Sequence, residues 1–148
     1  MVDPAQAAPP SFSGVHPVNI VLGDQVVALL GYDLDDSRAY PGGQLVVTLY
    51  WRPLVPFDEN YQTFVHLYDG ELRAQHDGAP ECAINPTTRW EPGRIIIDPH
   101  IVPLPLETPV GELALLAGMY NLLTEIRLAP VDSSTDTIHL DDITIRQE

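Results

Sequence analysis

Fifteen prolines and ten glycines interrupt this chain so often that a long, unbroken helix has almost nowhere to form. Proline inside a helix removes a backbone donor and clashes with the preceding turn, so punctuation this dense suits short strands joined by turns. With 148 residues, 45% of them apolar, the chain can bury one self-sufficient core. The expectation is a single all-β domain over residues 18–148, preceded at 1–17 by a Pro/Ala/Ser-rich flexible lead-in or linker.

The strands can be read from apolar runs bounded by turn formers. VNIVL and QVVALLGYDL flank Gly23–Asp24, and QLVVTLYW follows the turn former Pro41-Gly42-Gly43. In YQTFVHLYD the side chains alternate, placing Phe64, His66 and Tyr68 on one face and Val65 and Leu67 on the other. Asp69–Gly70 then predicts a hairpin with a two-residue turn. Residues 78–93 show no period and read as a long surface connection. Pro99, Pro103 and Pro105 cannot donate to a ladder, so the strand that carries them is expected at a sheet edge or at a bulge.

GELALLAGMYN has helix-favouring residues, but Leu113, Leu115, Ala117 and Met119 alternate with Ala114, Leu116 and Tyr120, which predicts a strand. TIHLDDITIR closes the domain with a change of face at Asp141–Asp142, the mark of a bulge or turn. Strands at this spacing, with long crossings, predict an immunoglobulin-like, Greek-key antiparallel β-sandwich.

Charge and missing residue types exclude several chemistries. A formal net charge of −14, with seven arginines and no lysine, disfavours a nucleic-acid backbone as partner. Without lysine there is no Schiff base, no P-loop amine and no isopeptide crosslink. The single cysteine, Cys82, cannot form an internal disulfide. No run is long and apolar enough for a spanning helix, so direct membrane insertion is not expected. The serines lie in the lead-in or in turns with no nucleophile elbow, and no pair of carboxylates stands out as a glycosidase pair; the chain does not read as an enzyme.

Two groups of residues are candidates for binding. Trp90, in the Pro/Gly-bounded TTRWEPG with Arg89 beside it and Tyr61 as a helper, would form a stacking platform for a glycan if its flat face were exposed; the competing reading folds it back over the end of the core. Asp33, Asp35 and Asp36 are the best trio for calcium, which takes several carboxylates from loops. They are not an EF-hand: counting from Asp33, Arg38 stands where glycine is required and Gln44 where the bidentate glutamate belongs, and turn-capping explains them more cheaply. His66 reads as a hydrogen-bonded, partly buried ring, and Trp51 as a tryptophan packed between sheets.

The order LLGYDLD, PGG, LYWRPL, YQTFVHLYDGELRAQ, TTRWEPG and IIIDPHIVPLP resembles the extracytoplasmic module appended to bacterial multi-spanning, family 39-type (mannosyltransferase-related) glycosyltransferase-like proteins. The resemblance covers Val18 to Arg146, and its markers are Gly31, Tyr32, Pro41, Gly42, Tyr50, Trp51, His66, Asp69, Trp90, Pro92 and Gly93. The chain departs from that pattern at Met119-Tyr120-Asn121, where the module more often continues as a LYD-type hairpin. The markers are turn formers and core aromatics, so the resemblance implies a fold and brings no catalytic residues. It implies an extracytoplasmic or cell-surface module of a larger protein, noncatalytic, accessory or interacting. A protein or glycan partner, or self-association through an edge strand, is the expectation, with a carbohydrate-binding module, calcium-assisted or not, as the alternative.

Overall fold

The computed structural model describes residues 15–78, 86–130 and 135–148. Eight strands follow in chain order: β1 His16–Leu22, β2 Val27–Arg38, β3 Gln44–Pro53, β4 Tyr61–Tyr68, β5 Leu72–Gly78, β6 Ile96–Pro103, β7 Gly111–Asn121 and β8 Ile138–Ile145. They form two antiparallel four-stranded sheets, ordered β1-β2-β3-β6 and β5-β4-β7-β8. Three connections cross from sheet to sheet, β3 to β4, β5 to β6 and β6 to β7, so that β3 neighbours β6 in one sheet while β4 neighbours β7 in the other.

Alternation supplies the core. Leu45, Val47, Leu49 and Trp51 on β3 face Val65 and Leu67 on β4 and Leu113, Leu115, Ala117 and Met119 on β7, all at 3% exposure or less. Each such aliphatic side chain contributes about 1.5–3 kcal/mol on burial. The helix-favouring composition of β7 therefore yields to its period-two pattern, as expected for a strand with neighbours on both sides.

The proline-bearing strand, β6, is an edge strand, as its missing donors require. The β7–β8 register shifts between Leu115 and Leu116, opposite His139 and Asp141, which is the irregularity expected at the aspartate pair. Both tight hairpins are longer than expected. Tyr68 pairs with Leu72 across a three-residue loop after a register shift, with Gly70 at φ +100°. Between β1 and β2 the turn takes four residues, 23 to 26, with Gly23 and Gln25 both at positive φ. A 3-10 turn, Thr87–Arg89, lies in the described part of the connection before β6. Residues 79–85, Cys82 among them, lie outside the described residues.

Candidate functional site

Trp90 caps the core. The residue is 4% exposed and its ring meets Phe57 edge to face at 5.6 Å, and Tyr61 meets Phe57 edge to face at 5.3 Å. The fold does bring Tyr61 and Trp90 to one end of the sandwich, but around Phe57, not around a free surface; Arg89 beside them is exposed. A stacking platform needs an open ring face, so Trp90 is corrected from ligand contact to core cap. The Thr87 hydroxyl fixes this end by donating to Glu59 O at 2.9 Å and accepting from Tyr61 N at 2.9 Å.

The aspartate trio does not converge on a cation. Asp33 and Asp35 alternate with Leu34 along exposed β2, and Asp35 accepts from both the amide and the hydroxyl of Ser37, at 3.0 and 2.6 Å. Those two bonds hold the Asp35 carboxyl below its ordinary range. Asp36 lies in the register irregularity that follows. Among the described residues no three His, Cys, Asp or Glu side chains are placed to hold a metal ion, Asp33, Asp35 and Asp36 included, and the Asp35–Ser37 bonds are those of a turn cap.

What the sequence reading missed lies between the sheets. On β6, Asp98 and His100 share the inward parity of Ile96 and Val102 and are each 1% exposed. Asp98 Oδ2 accepts the Trp51 indole N–H at 3.1 Å and the Thr63 hydroxyl at 2.5 Å, and His100 Nε2 lies 3.0 Å from it. The far nitrogen, His100 Nδ1, sits 2.7 Å from Nδ1 of half-buried His76 on β5. A buried carboxylate is tolerated only with such a full set of donors.

Hydroxyl, imidazole and carboxylate are the components of a nucleophilic triad, but the wiring here is different. A triad uses one imidazole nitrogen for the nucleophile and the other for the acid. Here Thr63 Oγ1 and Asp98 Oδ2 both address His100 Nε2, at 2.9 and 3.0 Å. Thr63 is fully buried, so no substrate reaches its oxygen.

The second assembly lies on the outer face of the β5-β4-β7-β8 sheet. Phe64, on that face, fills the space left by Gly118 on the neighbouring strand β7 and is fully buried there. Above its ring stands the Arg127 guanidinium, 4.6 Å from the centroid, a cation–π contact. Arg127 and Glu125 arrive because the chain folds back after β7: Glu125 N donates to Asn121 O, Leu128 N donates to Met119 O, and Tyr120 pairs with Arg127. Asn121 Oδ1 braces this return by accepting from Leu123 N and Thr124 N.

Around Phe64 runs a polar chain from four strands and loops. His66 Nε2 lies 3.2 Å from Asp77 Oδ1, and the Tyr120 hydroxyl, beside Asp77, donates to Gln62 Oε1 at 2.7 Å. Burial pushes the Asp77 carboxyl up, but His66, the Tyr120 hydroxyl and the Arg127 charge outweigh it and hold Asp77 below the ordinary carboxylate range. Burial and the Asp77 charge push the Tyr120 hydroxyl up. Asp77, Tyr120, Glu125 and Arg127 line an open hollow of about 200 Å³. His66 is 8% exposed and hydrogen-bonded, the structural role expected of it.

In comparisons with known proteins, no family model matches this chain and no curated relative matches it.

Proposed function

We propose that this domain is a noncatalytic accessory module that works by contact, and that its contact surface is the outer face of the β5-β4-β7-β8 sheet. The observation that carries this reading is the hollow where Arg127, Asp77, Glu125 and the Tyr120 hydroxyl meet around the Phe64 ring. It offers a cation, two carboxylates and a phenol in one open depression. The buried Thr63–His100–Asp98 set, by contrast, is closed to substrates. The interlocked neighbours β3/β6 and β4/β7 support an immunoglobulin-like Greek-key sandwich as the scaffold. With the resemblance described above, this favours an extracytoplasmic module of a larger protein.

A carbohydrate is the ligand class we favour for the hollow, because sugar hydroxyls both donate and accept, and the hollow presents acceptors, a donor cation and an amphipathic ring together. A protein partner is favoured instead by the neighbouring loop tip, where Leu123 and Ile126 are 83% and 69% exposed. The test is a glycan array with the purified domain, in parallel with calcium and with chelator. Saturable, calcium-independent binding that Arg127→Ala and Tyr120→Phe abolish, while circular dichroism shows both variants folded, supports the sugar reading. Binding that survives both substitutions, or none at all by the folded domain, sinks it and leaves protein contact.

A further inference from the structure

The two sheets meet along an open side formed by their edge strands, β5 and β6, which pack against each other without belonging to one ladder. A polar link across that side is the contact between His76 on β5 and His100 on β6, Nδ1 to Nδ1 at 2.7 Å. Their rings meet nearly at right angles, with centroids 4.8 Å apart. Behind His100 the chain continues to Asp98, and through Asp98 to Thr63 on β4 and Trp51 on β3.

Counting protons shows what this arrangement can do. Thr63 gives its hydroxyl proton to Asp98 Oδ2, so the proton between His100 Nε2 and these two oxygens belongs to His100. Two nitrogens 2.7 Å apart share one proton: one donates and the other accepts. The outer nitrogen, His76 Nε2, is then bare or protonated. The two rings therefore hold up to three protons with every bond intact, a single positive charge facing the Asp98 carboxylate. A fourth proton sets N–H against N–H and puts two imidazolium charges in contact, and the link breaks.

We infer that His76, His100 and Asp98 form a proton-operated latch that closes the β5–β6 side of the sandwich at neutral pH and releases β5 on acidification. The groups facing the latch among the described residues are few. Asp98 lies behind it on β6 and Asp77 next to His76 on β5, both favouring the charged ring, while β4 and β3 face it with uncharged Thr63 and Trp51. Burial, followed by the His100 charge, nevertheless lowers the His76 pKa. The sign follows: the folded chain resists charging His76, so the stability this group contributes is fully present above about pH 6.5, where an unfolded histidine takes its proton, and is lost as pH falls beneath it, while the link itself parts when the fourth proton arrives. Release of β5 also carries Asp77 away from Tyr120 and Arg127. That last step rests on the reading of the hollow proposed above, whereas the latch itself does not.

Amide hydrogen exchange of the intact chain, without ligand, reads the latch directly. Between about pH 7.5 and about pH 5, corrected for intrinsic exchange rates, peptides covering β5 and β6 are expected to lose protection while those of β7 keep theirs. His76→Gln, which keeps a polar side chain but cannot be charged, is expected to remove that pH dependence. Equal loss in β7, no loss in β5, or an undiminished acid loss in the variant overturns the latch. If the variant does not fold, imidazole ¹⁵N shifts of the native chain decide. Changes in the His100 ring and β5 amide shifts at the His76 midpoint are expected; a His76 titration that leaves both silent overturns the latch.

Discussion

The indole N–H of Trp51 on β3 donates to Asp98 Oδ2 on β6 across 3.1 Å, at a point where neither residue is more than 1% exposed. In the ladder Trp51 stands opposite Ile96 and Asp98 opposite Leu49, so the two reach each other diagonally on the inward face. The tryptophan thus fills the core and also supplies one of the donors that make a buried carboxylate tolerable. Trp51→Phe keeps an aromatic ring and removes the donor. A loss of about 1–3 kcal/mol is expected, read as a lower urea midpoint at unchanged slope; an unchanged midpoint would show that the bond contributes nothing net.

Gly118 is required by Phe64. A Cβ at position 118 would run into Phe64 Cζ and stand 2.7 Å from Cε2, and a ring wedged on the sheet face cannot bend aside. Gly118→Ala is expected to cost about 1–3 kcal/mol by overpacking. Adding Phe64→Leu to that variant relieves the clash, so the double substitution should cost less than the two single costs summed. Simple additivity in chemical denaturation would refute the contact.

Tyr32 joins the sheets by donating from its hydroxyl towards Leu140 O and Asp141 Oδ2, each at 3.2 Å. Burial, then the Asp141 charge, pushes its pKa from 10.0 up to about 12. The folded form therefore resists ionisation. Stability from this group is fully present below 10.0 and is lost as pH rises towards about 12. Tyr32→Phe should lower stability by about 1 kcal/mol at neutral pH and flatten the alkaline loss; phenolate absorbance against pH in the native and variant chains tests both.

Trp90 and Arg127 are expected to separate folding from binding. Trp90→Ala leaves a hole beside Phe57 and should cost about 3–5 kcal/mol, because the residue is 4% exposed. Arg127, whose side chain is 34% exposed, pairs with Asp136 at 3.1 Å and sits over Phe64. Arg127→Ala should cost only about 0.5–1 kcal/mol. Thermal denaturation of both variants checks the contrast, and a larger loss for Arg127→Ala than for Trp90→Ala would reverse the roles given to them.

The strands were legible wherever period two and turn formers coincided, as in Phe64/His66/Tyr68 against Val65/Leu67, or the prolines that send β6 to an edge. Turn lengths were not, because a Gly beside an Asp fixes local backbone freedom but not the bulge that the β4–β5 register imposes. The buried chain left one signal in the sequence: Asp98 and His100 occupy the parity of Ile96 and Val102, where a charge has no business without partners.

What the sequence by itself determined is the class of fold and which face of each strand looks inward, since both follow from spacing within a few residues. Only the tertiary structure decided what those faces meet. Trp90 closes on Phe57, Arg127 reaches Phe64 from 63 positions along the chain, and His76 finds His100 across a connection between sheets. The physical reason is that side-chain periodicity is set locally by the backbone, whereas hydrogen bonds and ring contacts depend on which strands become neighbours, and that is settled by packing the whole core at once.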